Sequence, residues 1–371
     1  MTRRPPLALL LLGAVLAASA QEDDRASGQR VRSWLRGQGC QADYQRAEDR
    51  ERGFVYLHTR SDQELQAARA RLAGFADLLW RDLFQRREGR TLTIVLLDRG
   101  DARAVFEEGQ GGFFVPQMQA LVCAEVPATV EQRCSVVIHE LTHALHFADQ
   151  AARGQRHPTW LVEGLATLFE TSRVVEDRLT PTHSGRLRTA QEAVRAGRAV
   201  PWRRLLGMSQ GAFHEKPATL AYAQARTLLF YVWEQGHLQR FYREYTSGAS
   251  RGEASGAEAL EVVFGRPLEE VERAWKEWLL AQEQPPIPFL GVASLPEAGG
   301  CRVVTVAPGS GAEAAGIALG DVLLSAQGVP LPTPEDLVEV LSAHAPGDTL
   351  ELELRRGQER LRVRVTLGVK R

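Results

Sequence analysis

The sequence predicts an α+β fold in two domains, a larger one with strands first and helices later, and a smaller β-rich one. Strand-length apolar runs alternate with a helical pattern between residues 54 and 124, and a helical, aromatic-rich stretch extends from 187 to 280. A proline-rich segment, 282–288, separates this helical stretch from a C-terminal region of short strand-like runs and glycine turns. Because 371 residues exceed the usual size of one domain, we place the domain boundary in this segment.

The chain begins with the features of a secretory signal peptide. Arg3 and Arg4 precede an apolar run from Leu7 to Ala17, which ends in the small residues Ala18-Ser-Ala20. This run is too short to span a bilayer, and no other stretch is apolar enough to do so. We therefore expect a secreted or periplasmic bacterial protein with no membrane span after signal removal.

The charge of the mature chain argues against two classes of partner. Signal removal takes two arginines from 45 basic side chains and leaves 43 against 46 acidic ones, a formal net charge of −3. This balance disfavours nucleic acid and an anionic membrane as partners. We divide the chain into a signal peptide at 1–20, an irregular polar segment at 21–52, a first domain at 53–281, a linker at 282–288 and a second domain at 289–371.

The first domain begins with three predicted strands and one helix. Phe54–Thr59 and Thr91–Leu97 have the apolar, β-branched composition of strands. Between them, Ser61 and Glu64 form a capping box that starts a helix of apolar period 3.6. A third strand is predicted near 119–124, after a glycine-rich turn.

The central motif is His139-Glu-Leu-Thr-His143, within an apolar helix. Residues four apart lie one turn apart, so the two imidazoles point the same way and suit a pair of Zn²⁺ ligands. Glu140 lies beside them, where it can take a proton from water. The alternative is the polar edge of an ordinary amphipathic helix, but histidines among so many apolar neighbours would lose hydration unless they had partners.

A catalytic zinc needs a third protein ligand and one open position. Glu163, within Trp160-Leu-Val-Glu-Gly-Leu-Ala166, lies twenty residues after His143 and is the natural candidate. We expect Glu170, two turns further, to lie at the surface. His146 has two interpretations: it holds a ligand or a water near the metal, or it is a satisfied core histidine.

These two segments together resemble the gluzincin clan of metallopeptidases, and the tryptophan-containing phrase resembles the bacterial peptidase MA-like families. The resemblance covers roughly residues 54–280. It implies a small mixed sheet and a zinc helix followed by a helical half, one Zn²⁺ held by His139, His143 and Glu163, and hydrolysis of peptide bonds. It also implies that the last strand of the sheet is an edge that pairs with extended substrate.

Related gluzincins supply a Tyr or His from the helical half to the oxyanion that develops during amide hydrolysis. Tyr222, in Leu220-Ala-Tyr-Ala-Gln224, resembles the Tyr-x-Gln helix start of peptidase MA-like chains. His214 and His183 are the alternatives.

Four cysteines remain in the mature chain, and they could pair in three ways: Cys40, Cys123, Cys134 and Cys301. We expect Cys123 to pair with Cys134, which would close a short loop just before the zinc helix. The alternative is that both are free, buried thiols.

Residues 289–371 resemble a PDZ domain of the bacterial, protease-associated type along nearly their whole length. One tetrapeptide matches the loop that receives the C-terminal carboxylate of a peptide ligand: Phe289, Leu290, Gly291 and Val292. Leu337 and Leu341 either line the peptide groove or belong to the core of this small domain.

Two functions remain open from the sequence. The first is a zinc peptidase with Glu140 as general base and a PDZ domain that recruits substrate or regulates access. The second is a catalytically idle scaffold whose PDZ domain binds peptides or protein C-termini. The intact Glu140 favours the enzyme, because a structural zinc site needs no base. A PDZ-bearing gluzincin family has aminopeptidase activity, but the motif Gly-x-Met-Glu-Asn is missing here, which favours an endopeptidase.

Overall fold

A mixed α/β region comes first, a helical region follows it, and a β-rich domain ends the chain. The computed structural model describes residues 24–85, 91–98, 100–106, 111–123, 136–215, 219–247, 256–284, 286–342 and 344–370. The predicted signal peptide at 1–20 and Cys134 lie outside these residues.

The first region is built on a five-stranded sheet with the order β1-β2-β3-β5-β4. Its central strands β2, β3 and β5 are parallel and buried throughout, which explains why they appear in the sequence as continuous apolar runs. The outer strands β1 and β4 are antiparallel to their neighbours. The strand bounds are β1 Gln45–Asp49, β2 Phe54–His58, β3 Leu92–Leu96, β4 Gly112–Val115 and β5 Ala120–Cys123.

This topology corrects the predicted edge of the sheet. The last strand in sequence, β5, lies inside the sheet between β3 and β4, and β4 is the edge strand. A 3₁₀ turn at Pro116–Met118 joins the two strands, and Gln119 follows it with a positive φ of 46°. This tight connection makes β4 and β5 an antiparallel hairpin, and β4 takes the outer position because β5 pairs with β3 on its other side.

Helices cover both faces of the sheet. Helix α2 (Asp62–Asp82) covers one face, and the predicted capping box of Ser61 and Glu64 is confirmed at its start. Helix α1 (Asp24–Gln38) packs Val31 and Leu35 on the other face, and the short α3 (Ala102–Val105) follows β3.

The prediction that 21–52 is irregular is wrong in part, because this segment contains α1 and β1. Helix α1 contributes few apolar residues to the core, and they are separated by charged and polar side chains. Its helical period is therefore weak in the sequence, and the helix depends on packing against the sheet.

Two helices carry the predicted motif residues: α4 (Val136–Arg153) and α5 (Thr159–Phe169). Helix α5 packs closely on α9 (Thr219–Glu234) at Gly164. A Cβ atom added to Gly164 would lie 2.7 Å from Leu229 Cδ1 and 3.3 Å from Ala225 O. Glycine at this position therefore sets the distance between the two helices.

The helical region supplies most of the large core side chains. Trp202 and Trp275 are fully buried, and Trp160 of α5 joins the same core. A hairpin, β6 (Arg173–Val175) and β7 (Arg178–Thr180), precedes it. Its other helices are α6 Gly185–Arg195, α7 Trp202–Leu206, α8 Gln210–Phe213, α10 Leu238–Ser247, α11 Ala257–Phe264 and α12 Leu268–Ala281.

A buried arginine ties α9 to the end of α5. Arg226 is fully buried, and it donates hydrogen bonds to Thr167 O (2.9 Å), at the end of α5, and to Thr171 Oγ1 (2.7 Å). It also donates to Thr182 O (2.6 Å), shortly before α6. A buried guanidinium with this many acceptors fixes the segments around it, because leaving its charge without partners would be costly.

The C-terminal domain is a six-stranded sheet with the order β14-β13-β11-β10-β9, in which β12 pairs with β11, and a separate pair β8–β15. Its core includes Leu290, Cys301 and Leu337. Leu337 is thus a core residue, while Leu341 is partly buried against that core. The element bounds are β8 Pro288–Phe289, β9 Val292–Glu297, β10 Gly300–Val306, α13 Gly311–Ala314, β11 Val322–Ala326, β12 Val329–Pro330, α14 Pro334–Ser342, β13 Thr349–Arg356, β14 Glu359–Thr366 and β15 Gly368–Val369.

The first residues of the linker are bound to the helical region. Gln191 on α6 is fully buried, and its amide donates to Leu279 O (2.8 Å) and Gln282 O (2.9 Å). Gln284 donates in turn to Gln191 Oε1 (2.8 Å). Across the described residues, no helix has the length and apolar character needed to cross a membrane.

The contact between α5 and α9 gives a test of the packing. Replacing Gly164 with alanine should lower the free energy of unfolding by about 1–3 kcal/mol, because the added methyl group has no space against Leu229. The control is Gly74→Ala in the interior of α2, where a Cβ atom would meet nothing within 4 Å. It should stabilise by about 0.5–1 kcal/mol through helix propensity. Urea unfolding measures both, and a Gly164→Ala protein as stable as wild type would contradict the close approach.

Candidate metal centre

Helix α4 exposes a single stripe near its start. From Val136 to Phe147 the positions that are not buried are Val136, His139, Glu140, His143 and Phe147. Their spacing of three and four residues places them on one face of the helix. The apolar residues between them form the buried face of the helix. The His-Glu-x-x-His motif therefore faces away from the core.

The side chains of His139, His143 and Glu163 meet at one point. The Nε2 atoms of the two histidines are 3.0 Å apart. Glu163 Oε2 lies 3.6 Å from His139 Nε2 and 3.5 Å from His143 Nε2. Ligand atoms held at about 2.1 Å from one Zn²⁺ at tetrahedral angles would be roughly 3.4 Å apart. The spacing and the chemistry of these three donors therefore fit a single small metal ion, and this is the one such group among the described residues.

The pocket is electrostatically suited to a cation. Burial lowers the pKa of His139, but the neighbouring carboxylates Glu163 and Glu170 outweigh it, and the net pKa is raised. Burial acts to raise the pKa of Glu163, but His143 and His139 hold it well below its usual range. The carboxylate therefore stays ionised at neutral pH, and its charge favours a positive group between the imidazoles.

Glu170 is not at the surface, and this prediction is wrong. The side chain is buried, and Oε2 lies 2.9 Å from His139 Nδ1. Seven residues are almost two full turns, so Glu170 returns to the face of α5 that carries Glu163. Because an ionised carboxylate only accepts hydrogen bonds, Nδ1 of His139 carries the proton and its Nε2 faces the other two donors. Arg186 on α6 holds the second oxygen of Glu170 at 3.3 Å.

Glu140 sits between the metal-ligand candidates and the edge strand. Burial raises the pKa of its carboxyl, the two histidines of the motif lower it, and the net pKa is above the usual value. The backbone N–H of Phe114, on β4, also acts to lower it. The sheet as well as the helix therefore influences the charge of Glu140.

Two of the three candidate oxyanion donors occupy the same place. Tyr222, in the first turn of α9, has its hydroxyl 3.0 Å from His214 Nδ1, and His214 Nε2 is 3.9 Å from Glu163 Oε1. Burial, followed by the charge of Glu163, raises the pKa of Tyr222, so the phenol remains protonated at neutral pH. His183 lies elsewhere, stacked on Phe230 with ring centroids 4.4 Å apart.

His146 makes the contacts of a core histidine. It is fully buried, its Nε2 lies 2.7 Å from His157 Nδ1, and its ring stacks on Phe84 with centroids 5.0 Å apart. Its described hydrogen-bond partner, His157, is not a metal-ligand candidate.

The predicted disulfide stays a prediction, because Cys134 lies outside the described residues. Cys123 is buried and forms no disulfide with another described cysteine, and its thiol lies 3.5 Å from Val95 O.

Two family models match parts of the chain. Residues 288–367 match the model described as PDZ domain, which confirms the C-terminal PDZ domain. Residues 133–253, which include the candidate metal ligands, match the model described as protein of unknown function (DUF1570). No curated protein matches the sequence.

Solved structures show local and distant likenesses. A serine endoprotease from Yersinia pestis is 21% identical over 28% of this chain, with a TM-score of 0.23, and the chain spans about a third (36%) of that protein's length. The HtrA3 PDZ domain bound to a phage-derived ligand is 28% identical over 22% of this chain and 86% of its own, with a TM-score of 0.20. An aminopeptidase N family protein from Idiomarina loihiensis is 14% identical over 89% of this chain and 67% of its own, with a TM-score of 0.38.

The buried pair His146 and His157 predicts a pH dependence of stability. Burial lowers the pKa of both imidazoles, to about 3 for His157, from the ordinary 6.5. The unfolded chain therefore binds more protons than the folded one below pH 6.5, so this stability is complete above pH 6.5 and is lost as the pH falls toward 3. Each histidine contributes at most about 1.4 kcal/mol per pH unit.

Replacing His157 with glutamine should make this loss shallower, because one buried titrating group is removed. Urea unfolding of wild type and His157→Gln between pH 7.5 and 4, both in EDTA, measures the difference. The carboxylates contribute equally to both curves, so parallel curves would contradict the neutral buried pair.

Proposed function

We propose that this chain is a zinc-dependent peptidase whose PDZ domain binds peptides, either to recruit substrate or to regulate access. The observation that carries the proposal is the convergence of two imidazole nitrogens and one carboxylate oxygen, 3.0 to 3.6 Å apart, with Glu140 beside them. Two histidines and one carboxylate that leave one position open are a ligand set of catalytic zinc sites. A purely structural zinc site needs no open position.

Each polar side chain of the centre has a role in this proposal. Zn²⁺ held by His139, His143 and Glu163 would polarise the scissile carbonyl group and lower the pKa of water. Glu140 accepts a proton from water and passes it to the departing amine, and its raised pKa suits both halves of this transfer. Tyr222 donates a hydrogen bond to the developing oxyanion, because its raised pKa keeps the proton on the phenol.

The position of β4 supports an endopeptidase. This strand forms the outer edge of the described sheet, and its Phe114 N–H acts to lower the pKa of Glu140. An extended peptide added to that edge would run past the general base with its main chain held by hydrogen bonds. Such pairing needs no free amino terminus, which agrees with the missing aminopeptidase motif. The signal-like segment 1–20 supports export, to the periplasm or beyond the cell.

The geometry of the PDZ loop supports capture of a peptide carboxylate. Leu290 O accepts from Ala312 N (3.0 Å), and Gly291 O accepts from Ala307 N (2.7 Å). In a trans peptide the C=O and N–H point in opposite directions, so the N–H groups of Gly291 and Val292 point away from those partners. Neighbouring strand β9 is an edge of its sheet, where a peptide can add as a further strand.

Replacing Glu140 with glutamine should separate zinc binding from turnover. The variant should hold one zinc, because all three ligands remain, while kcat falls by about 10²–10⁴-fold through loss of the proton acceptor. Metal analysis and cleavage of casein and a peptide library measure the two properties. His139→Ala should lose both, and Glu176→Gln, in the exposed turn of the β6–β7 hairpin, should lose neither.

The same experiment reports on the PDZ domain. If it recruits substrate, peptides with a free C-terminal carboxylate should show a lower KM than their amidated forms. A wild-type chain that binds zinc and cleaves nothing would contradict the peptidase and favour a binding protein built on a peptidase-like domain.

A further inference from the structure

The exposed stripe of α4 continues past the metal-ligand candidates to an aromatic residue. Phe147 follows His143 by four residues and therefore lies one turn further on the same face. It is partly exposed, although the surrounding positions 144–146 are buried. A phenyl ring that stays accessible beside a polar centre has apolar surface available for contact with a ligand.

A second aromatic ring joins it from the edge strand. Phe114 contacts Phe147 edge-on, with ring centroids 5.8 Å apart and an interplanar angle of 61°. Phe114 is itself partly exposed, and its strand β4 packs on helix α4, which carries Glu140. The aromatic pair therefore lies where the edge strand meets the helix of the proposed general base.

Beyond His143 the helix offers no exposed charged group next to these rings. From Ala144 to Ala152 its acidic and basic side chains are Asp149 and His146, and both are fully buried. Asp149 accepts hydrogen bonds from Tyr242 (2.6 Å) and Arg153 (2.9 Å). A charged side chain brought to Phe147 would therefore lose hydration without gaining a partner on this part of α4.

We infer that Phe114 and Phe147 form the subsite that receives a bulky apolar side chain next to the scissile bond. This inference rests on the proposed function and names its substrate class: peptides with phenylalanine, leucine or a residue of similar size at that position. A peptide paired along β4 passes Glu140 and the two rings within one strand segment, so the side chain nearest to the cleaved bond packs on them. Apolar burial then supplies selectivity that main-chain pairing lacks.

The test measures binding apart from turnover. Full-length, zinc-loaded Glu140→Gln is titrated with C-terminally amidated decapeptides of Ala, Gly and Ser that carry Phe, Leu, Ala, Lys or Glu at the centre. Amidation removes the carboxylate that the PDZ domain would capture. The Phe and Leu peptides should bind about tenfold or more tightly than the Ala, Lys and Glu peptides, within the range that a hydrophobic pocket discriminates.

The added substitution Phe147→Ala should remove most of this tenfold difference while zinc content stays at one per chain. The matched control is Phe264→Ala, another partly buried phenylalanine, which contacts Tyr231 and His237 away from the stripe. It should keep the preference. Unfolding midpoints of both variants establish that each is folded under the assay conditions.

The outcomes separate this inference from the peptidase proposal. Equal binding of all five peptides, or a preference for Phe that survives Phe147→Ala, would overturn the subsite, while cleavage by wild type would still support the peptidase. A Phe147-dependent preference in a protein whose wild type cleaves nothing would keep the apolar subsite and refute the peptidase.

Discussion

The structure depends on the confinement of three acidic side chains between two apolar helices: Glu170, which is buried, and Glu140 and Glu163, which are partly buried. Carboxylates in such a setting are stable only when they are paired or hydrogen-bonded. His139 contacts two of these carboxylates, since its Nδ1 faces Glu170 and its Nε2 faces Glu163. Each partner restricts the others, so contacts within the protein orient the three donors. The pairing of these side chains therefore holds α4 and α5 next to each other around a polar centre.

The surrounding fold serves that position. Gly164 allows α9 to approach α5, and α9 in turn brings Tyr222 to Glu163 and buries Arg226 against the end of α5. Arg186, at the start of α6, holds Glu170 and lies 5.7 Å from the ring centroid of Tyr222. The sheet contributes from the opposite side through β4. The helical region and the sheet thus position the same few atoms from different directions.

Local patterns predicted the donors, and long-range packing decided the rest. His139 and His143 were predictable because they are four residues apart, which is about one helical turn. Glu163 was predictable because the sequence segment around it resembles a known family. Glu170 was predictable as well from its seven-residue spacing, although it was assigned to the surface. Arg186 and Phe114 carry no local signal, because their roles arise only when distant segments meet.

The same reasoning explains the elements that were missed. Helix α1 gains its stability from the sheet rather than from its own sequence, and the order of β4 and β5 depends on a hairpin whose turn lacks the usual Asn-Gly signature. The PDZ domain was predictable almost throughout because residues 289–371 resemble known domains of that type along nearly their whole length, and the family match over 288–367 agrees.

The most direct test of the metal centre is the zinc K-edge X-ray absorption spectrum of the zinc-loaded protein. We expect one zinc per chain bound by two imidazole nitrogens at about 2.0–2.1 Å and by oxygen at about 2.0–2.2 Å, with no sulfur. The chain contains four cysteines, so thiolate ligation is a real alternative. Sulfur at about 2.3 Å, or less than one zinc per chain, would contradict the assignment of His139, His143 and Glu163.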